Sequence, residues 1–450
     1  MIVLLVSSSP LAVSDIPQIL PGIALNAQQW AALQALEAFV YSGEKLCLLT
    51  GYAGTGKTTL LQALMTRLRQ QQDNRPIALT ALSNKATKVL AAMAHRWGLE
   101  ADCMTCCRLL GLRPAIDKET GKQRFEPDRE RKNLATDYAL VIVDECSMIN
   151  QEMWELLVGS VSRLDRQTQL LFVGDPAQLP PVGEDESLCF QQIHQRADLT
   201  DVVRYGSSIG AFAAEVRMNL ARPVLQLPPS DRTADNTEGI FVIPRQPWEK
   251  LLLRAFTSEA YQRNPDQVRV LAYTNRRVRQ LNQMIRTAIY GDNSPRFVAG
   301  ERLIANNSCL AKDGVILQTS EECEVVEAYQ TKADGWQVWT LEIVTEEGRD
   351  RKLRVLHESE QARFKIVLRE LSEKKQWQVF WDLKQFFHDV NYAYSLTVHK
   401  SQGSTFQDVF VDVPNLMLNR QVSERNQLCY VAFTRAAKRL FLLQFSSVAN

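Results

Sequence analysis

Glycine, lysine and threonine recur in a fixed spacing between residues 51 and 59. The run reads Gly51-Tyr52-Ala53-Gly54-Thr55-Gly56-Lys57-Thr58-Thr59, and Gly51, Gly56, Lys57 and Thr58 fit the pattern G-x-x-x-x-G-K-[ST]. Glycines let successive backbone N–H groups turn inward around phosphate oxygens. Lys57 has the reach for β- and γ-phosphates. The Thr58 hydroxyl suits Mg²⁺, which keeps several waters and takes few protein ligands. A second chemical group, Asp144-Glu145-Cys146-Ser147, closes the apolar run Ala139 to Val143. There Asp144 would hold the hydration shell of Mg²⁺, and Glu145 would orient and deprotonate an attacking water. A helix cap supplied by Asp144 or Ser147 is the plainer alternative. A third group, Gly174 to Pro181, follows another apolar run and carries Gln178, an amide able to accept and donate near a γ-phosphate.

These groups need elements to hold them. Apolar runs near 46–50, 77–81, 139–143 and 169–173 alternate with helical patterns. The stripe Leu60, Leu61, Leu64, Leu68 predicts a helix whose N-terminus faces the bound anion. Such alternation predicts a parallel α/β sheet with its sites at the carboxyl ends of the strands. The second half repeats the pattern at Val268 to Tyr273, Tyr392 to Val398, Val409 to Val413 and Leu440 to Leu443, without a phosphate loop. It is expected to be the other jaw of a cleft and to supply arginines to the γ-phosphate. Two insertions interrupt the pattern. Arg113–Ile116 and Gln123–Phe125 flank the polar turn Asp117 to Lys122 and predict a β-hairpin. Cys323 to Ala328, Trp336 to Val344 and Lys352 to Leu356 predict a small antiparallel barrel. The aromatic residues that follow it (Trp377, Phe380, Trp381, Phe386 and Phe387) suit a seam between modules or base stacking.

Composition sets outer bounds. A chain of 450 residues suggests roughly three domains at ~150 residues each. The net charge of +1 excludes a uniformly basic nucleic-acid coat and leaves room for a local basic groove. No apolar run approaches the ~18 residues of a membrane span. Residues 1–22, apolar and then broken by Ser7, Ser8, Ser9 and Pro10, are expected to form a flexible leader. The nine cysteines fit a reducing compartment. Cys103, Cys106 and Cys107 lack the second ligand pair that a structural metal site requires.

Taken in order, Gln29, the 51–59 loop, Thr80 to Lys88, Asp144 to Ser147, Gly174 to Pro181, Arg204, Val398 to Phe406 and Tyr430 to Ala436 resemble the motifs of superfamily 1 DNA helicases, in their RecD/Dda-like branch. The resemblance spans about residues 23–445. It implies an α/β fold of two RecA-like parallel-sheet domains forming an ATP cleft. The first would comprise 23–110 and 134–198, with a strand-splitting hairpin at 111–133. The second would comprise 199–296 and 390–450, with an SH3-like β insertion at 297–389. It implies an ATP-dependent 5′→3′ translocase and helicase on single-stranded DNA, in replication, recombination or repair. A helicase on RNA or RNA/DNA hybrids, or a motor subunit of a larger complex, are the alternatives. ATP and Mg²⁺ would be the cofactors. Gln29, with Gln28 as its neighbouring alternative, would read the adenine. Gly51, Ala53, Gly54, Thr55, Gly56, Lys57, Thr58 and Thr59 would cradle the phosphates, and Thr58 and Asp144 would serve the metal. Arg204 and Arg435 would be arginine fingers, with Gln402 and Gly403 beside the γ-phosphate. Thr80, Ser83, Asn84, Lys85, Thr105 and Arg108 would touch DNA from the first domain, and Thr397 and His399 from the second. The chain departs from the family at Thr105-Cys106-Cys107, where a histidine is usual, which leaves Thr105 and Arg108 to serve there. Implied partners are single-stranded and tailed duplex DNA and a single-stranded-DNA-binding protein, with no membrane. The protein would act as a cytoplasmic, nucleoid-associated monomer.

Overall fold

The computed structural model describes residues 18–117, 123–128, 131–162, 167–201, 208–311 and 314–445. Residues 1–17 of the expected leader, the 118–122 hairpin turn and Arg204 lie outside this set. The chain divides into two compact units: residues 1–82, 86–111 and 132–206, and residues 83–85, 112–131 and 207–450.

In chain order the strands are β1 (Leu46–Gly51), β2 (Ile77–Ala81), β3 (Asp102–Thr105), β4 (Leu112–Ile116), β5 (Gln123–Pro127), β6 (Leu140–Val143), β7 (Gln169–Gly174), β8 (Arg196–Leu199), β9 (Asp231–Arg232), β10 (Gly239–Ile243) and β11 (Val268–Ala272). They continue as β12 (Arg302–Ala305), β13 (Cys309–Ala311), β14 (Gly314–Leu317), β15 (Glu322–Ala333), β16 (Trp336–Thr345), β17 (Asp350–Leu356), β18 (Val390–Tyr392), β19 (Ser395–Thr397), β20 (Phe406–Val411) and β21 (Ala436–Leu443).

The first unit is built on a six-stranded sheet of order β3-β2-β6-β7-β1-β8, parallel throughout. Helices cover a parallel sheet on both faces, so its strands read as unbroken apolar runs. Leu48, Leu49, Ile142, Leu171 and Phe172 have essentially no exposed surface, and each such side chain stabilises by about 1.5–3 kcal/mol. The helix Lys57–Gln70 buries Leu60, Leu61, Leu64 and Leu68, the predicted stripe. Ile19 and Leu20 are buried in the same core. The described end of the expected leader is therefore packed, because it brings two large apolar side chains to that core.

The second unit carries a six-stranded sheet of order β19-β11-β20-β21-β10-β9, parallel except at the β9–β10 edge. The run Tyr392 to Val398 was expected as one strand and is two. β18 pairs antiparallel with β12, whereas β19 pairs parallel with β11. Ala393 and Tyr394 carry the chain from one sheet to the other. The insertion holds an antiparallel sheet of order β17-β16-β15-β12-β18 and the ribbon β13-β14. This sheet is open among the described residues, where a barrel was expected. Two helices, Gln361–Glu373 and Trp377–Phe386, also belong to the insertion. The spacing of Trp377, Phe380, Trp381 and Lys384 follows one helix face, a period masked by the neighbouring aromatics. Phe387 packs edge-on to Trp336 and Phe364, so it joins the sheet and helices within the insertion and not a seam between modules. Trp377 remains exposed. The strands β4 and β5 pair antiparallel in the register Leu112↔Pro127 to Ile116↔Gln123, as the flanks of the polar turn predict.

Candidate nucleotide-binding site

Strand β1 delivers the phosphate loop, and the loop's backbone dictates its glycines. Gly54 and Gly56 have φ of 83° and 88°, a region that disfavours side chains. A Cβ on Gly51 would stand 2.5 Å from the Thr55 hydroxyl, and one on Gly56 would stand 2.3 Å from the Gln29 amide nitrogen. Lys57 begins the helix and donates to the carbonyls of Gly51 and Tyr52, so its ammonium lies within the loop. Thr58 is exposed on the first helical turn, while Thr55 is buried with its hydroxyl on the Tyr52 carbonyl. Ala53 and Thr59 are half-buried.

Of the two glutamines, Gln29 lies against this loop. Its Nε2 donates to the Thr55 carbonyl at 3.0 Å, and its Oε1 accepts from Asn26 N in a capping box that starts the helix Ala27–Val40. Gln28 instead holds the backbone of Thr200 and Asp201.

The acidic pair sits at the carboxyl end of β6, two strands from β1. Glu145 has φ 55°, the left-handed region where a non-glycine residue is uncommon and often functional. Its N–H donates to Asp144 Oδ1 at 2.8 Å. Burial and the adjacent Glu145 charge push the Asp144 carboxyl up to about 7, against the pull of the Glu145 amide and of Lys57. Gly174 ends β7, and a Cβ there would stand 2.5 Å from Cys146 Sγ. The turn after the acidic pair thus packs directly on that strand end. Gln178 is buried, and its Oε1 finds no partner among the described residues.

Asp175 had no assigned role in the sequence. It is fully buried, and its carboxylate accepts from Ala53 N at 3.1 Å and Ala177 N at 2.9 Å. It ties the phosphate loop to the Gln178 loop. An acid at an apolar strand end just before proline was the available signal.

Three expected DNA contacts take other roles. Thr80 is fully buried on β2, and its hydroxyl donates to the Ile142 carbonyl at 3.0 Å. Thr105 is buried and caps the helix Cys106–Leu109 by accepting from Arg108 N. Thr397 is buried on β19 and accepts from Lys400 N. Thr80 lies on the interior strand β2, and Thr105 and Thr397 end the edge strands β3 and β19; in all three the buried hydroxyl is engaged with the backbone. Arg108 is exposed, and Ser83, Asn84 and Lys85 are half-buried.

In the second unit, the turn after β19 holds His399, Lys400, Gln402 and Gly403. Burial pulls the half-buried His399 imidazole below its usual range, against the Glu424 charge. Gln402 is buried, with Nε2 unpartnered among the described residues. Gly403 has φ 70°. Arg435 ends the helix Val422–Thr434 and is buried. Its guanidinium donates to the carbonyls of Val431 and Ser404, both at 3.1 Å, and to the Thr434 hydroxyl at 3.2 Å. Arg435 is thereby braced against the segment that follows Gly403.

A phosphate loop between a parallel strand and a helix, backed by a strand-end carboxylate pair, defines a P-loop nucleotide-binding protein with a second parallel-sheet unit. The AAA domain family model matches residues 24–226, and that of the UvrD-like helicase C-terminal domain matches 392–443. The chain is 25% identical over 435 residues to the ATP-dependent DNA helicase dda of Enterobacteria phage T4, covering 87% of this chain and 93% of that protein. It is 25% identical to an uncharacterized protein of Acanthamoeba polyphaga mimivirus, covering 92% and 98%. It is 31% identical over 226 residues to the RecBCD enzyme subunit RecD of Mycolicibacterium smegmatis, covering 46% and 38%. The crystal structure of a Bacteroides Pif1 helicase with ADP-AlF3 and ssDNA is similar at 16% identity, 92% coverage of each chain and a TM-score of 0.49. The two family models and these relatives are consistent with the resemblance to superfamily 1 helicases of the RecD/Dda-like branch.

Proposed function

We propose that this protein is an ATP-driven helicase that moves 5′→3′ on single-stranded DNA and opens tailed duplexes during replication, recombination or repair. The observation that carries the reading is the joining of loop and acid pair on one sheet, in a chain collinear with a phage DNA helicase over nearly its whole length. Lys57 and the loop amides bind the triphosphate, and Gln29 reads the adenine. Glu145 takes the proton of the attacking water. Gln178, Gln402, Arg204 and Arg435 respond to the γ-phosphate. The domain limits follow the sequence division, with the 111–133 hairpin as the splitting pin and 297–389 as an SH3-like module. Ser83, Asn84, Lys85, Arg108 and His399 are the proposed DNA contacts. Contacts to phosphates carry no sequence information, so binding is sequence-independent and falls with salt.

The donors at the acid pair fit Mg²⁺. Asp144 is a half-buried carboxylate held far above its ordinary range, and Thr58 offers an exposed hydroxyl; hard oxygen ligands of this kind suit that ion. When bound, it would neutralise phosphate charge. Among the described residues no helix is long and apolar enough to cross a membrane. A cytoplasmic monomer working beside a single-stranded-DNA-binding protein completes the proposal.

The test is ATP hydrolysis and strand displacement on 5′-tailed, 3′-tailed and blunt duplexes with DNA and RNA tails. DNA-stimulated hydrolysis with displacement from the 5′ tail alone is expected. Displacement from 3′ tails, or from RNA tails in preference to DNA, refutes polarity or substrate. Hydrolysis without displacement points to a motor that needs further subunits.

A further inference from the structure

Lys400 stands beside the residues assigned to nucleotide and DNA, yet its side chain turns the other way. Its Nζ donates to Asn306 Oδ1 at 2.8 Å. Asn306 directly follows β12 in the inserted sheet. Its Nδ2 donates to Asp389 Oδ1 at 2.9 Å and its N–H to the Asp389 carbonyl at 2.8 Å. Asp389 directly precedes β18. A lysine in the turn after β19 is therefore bonded to the paired roots of the inserted sheet. Burial lowers the affinity of Lys400 for its proton and Asp389 opposes this.

The backbone joint between the sheets is clamped as well. Asn282, fully buried in the helix Asn275–Tyr290, accepts from Ser395 N at 2.7 Å and donates to the Tyr392 carbonyl at 2.8 Å. Arg269, also fully buried, donates to the Ala393 carbonyl at 2.6 Å. Ala393 N donates to the Arg302 carbonyl, and the Tyr394 hydroxyl to Glu301 Oε1. A joint whose backbone N–H and C=O groups are paired on both sides in the interior resists bending, since bending would leave them unpaired away from water. The segment that enters the 399–403 turn thus leaves the inserted sheet without a hinge.

We propose that Lys400 is a positioning residue: through Asn306 it locks the His399–Gly403 turn to the roots of the inserted sheet, so that movement of the turn in the ATP cycle carries the inserted module with it. This rests on the helicase reading above. Lys400 touches neither nucleotide nor DNA in this role. Its removal separates hydrolysis from unwinding and leaves hydrolysis itself in place.

The experiment compares wild type with Lys400→Met, Lys400→Arg, Asn306→Leu and the Lys400→Met/Asn306→Leu pair. Three quantities are read: DNA-stimulated ATP turnover, base pairs opened per ATP, and hydrogen exchange of residues 395–403 without nucleotide. Lys400→Met is expected to keep turnover within about threefold and to open about tenfold fewer base pairs per ATP, a size in the range of contacting-pair couplings. Lys400→Arg, which retains a donor, restores most of the yield. The double variant is no worse than either single one, since both break the same contact. Exchange across 395–403 quickens in Lys400→Met. Turnover and unwinding falling in proportion, additive losses in the double variant, or unchanged exchange each overturn the proposal. A wild-type protein without DNA-stimulated turnover refutes the helicase reading instead, and the exchange measurement still decides the brace.

Discussion

Replacing Asp144 with asparagine should abolish ATP turnover and make the protein harder to unfold. Burial and the Glu145 charge lift the Asp144 carboxyl from 3.8 to about 7. Between those values the folded protein holds a proton that the unfolded chain releases. The stabilising proton is therefore fully present below pH 3.8 and is lost as pH rises through 7. About three pKa units at ~1.4 kcal/mol each set a ceiling near 4 kcal/mol. The site is only half-buried, and solvent screening trims this to roughly 2 kcal/mol. At ~2–4 °C per kcal/mol for a compact unit of about 150–250 residues, such as the one that holds Asp144, Asp144→Asn should raise the melting of that unit by about 4–8 °C at pH 8. The assay is thermal unfolding of both proteins at pH 5 and pH 8, without nucleotide or divalent cation. The advantage of the variant should be large at pH 8 and narrow toward pH 5. Adding MgATP should raise the wild type more than the variant. An advantage that does not change with pH, or a wild type that is the more stable at pH 8, refutes the account of Asp144 as a strained, charge-awaiting carboxylate.

Other perturbations follow from the same geometry. Gly174→Ala drives a methyl group to 2.5 Å from Cys146 Sγ; overpacking of this kind costs about 1–3 kcal/mol and should slow ATP turnover by displacing the acid pair, and an unchanged melting temperature would count against that packing. His388 accepts from Arg354 N at 2.9 Å through Nδ1 and meets the Leu310 carbonyl at 3.0 Å through Nε2. Burial pulls its pKa below 6.5, so its contribution is complete above pH 6.5 and lost as pH falls below it; near-UV circular dichroism from pH 7 to 5 should show acid loosening in wild type and less in His388→Gln. Arg435→Ala should cut DNA-stimulated turnover on the order of 10³-fold, as for a lost arginine finger. A fall below tenfold would leave Arg435 as a helix-end brace alone.

The residues with one chemical use were legible before any fold was known. Lys57 and Thr58 in a fixed glycine frame, and Asp144-Glu145 after an apolar strand, carry the proposed chemistry in their type and spacing. So did the elements that hold them, because a doubly covered parallel strand is an unbroken apolar run. Threonine misled at Thr80, Thr105 and Thr397, since a hydroxyl beside a motif serves phosphate or backbone equally well in a linear string. Their burial decides for the backbone. The run Tyr392 to Val398 read as one strand because local apolarity does not say which sheet it joins. Pairing with β12 on one side and β11 on the other splits it.

The proposed triphosphate site was legible in sequence because its features are local: a loop, a lysine and two acids close to strand ends. Only the tertiary structure shows what the phosphate loop is tied to and what the 399–403 turn is bonded to. Asp175 meets Ala53 across 122 residues, and Lys400 meets Asn306 across 94. Contacts at such separations have no period or spacing to betray them. They exist only once neighbouring strands and paired sheet roots bring distant residues within hydrogen-bonding distance.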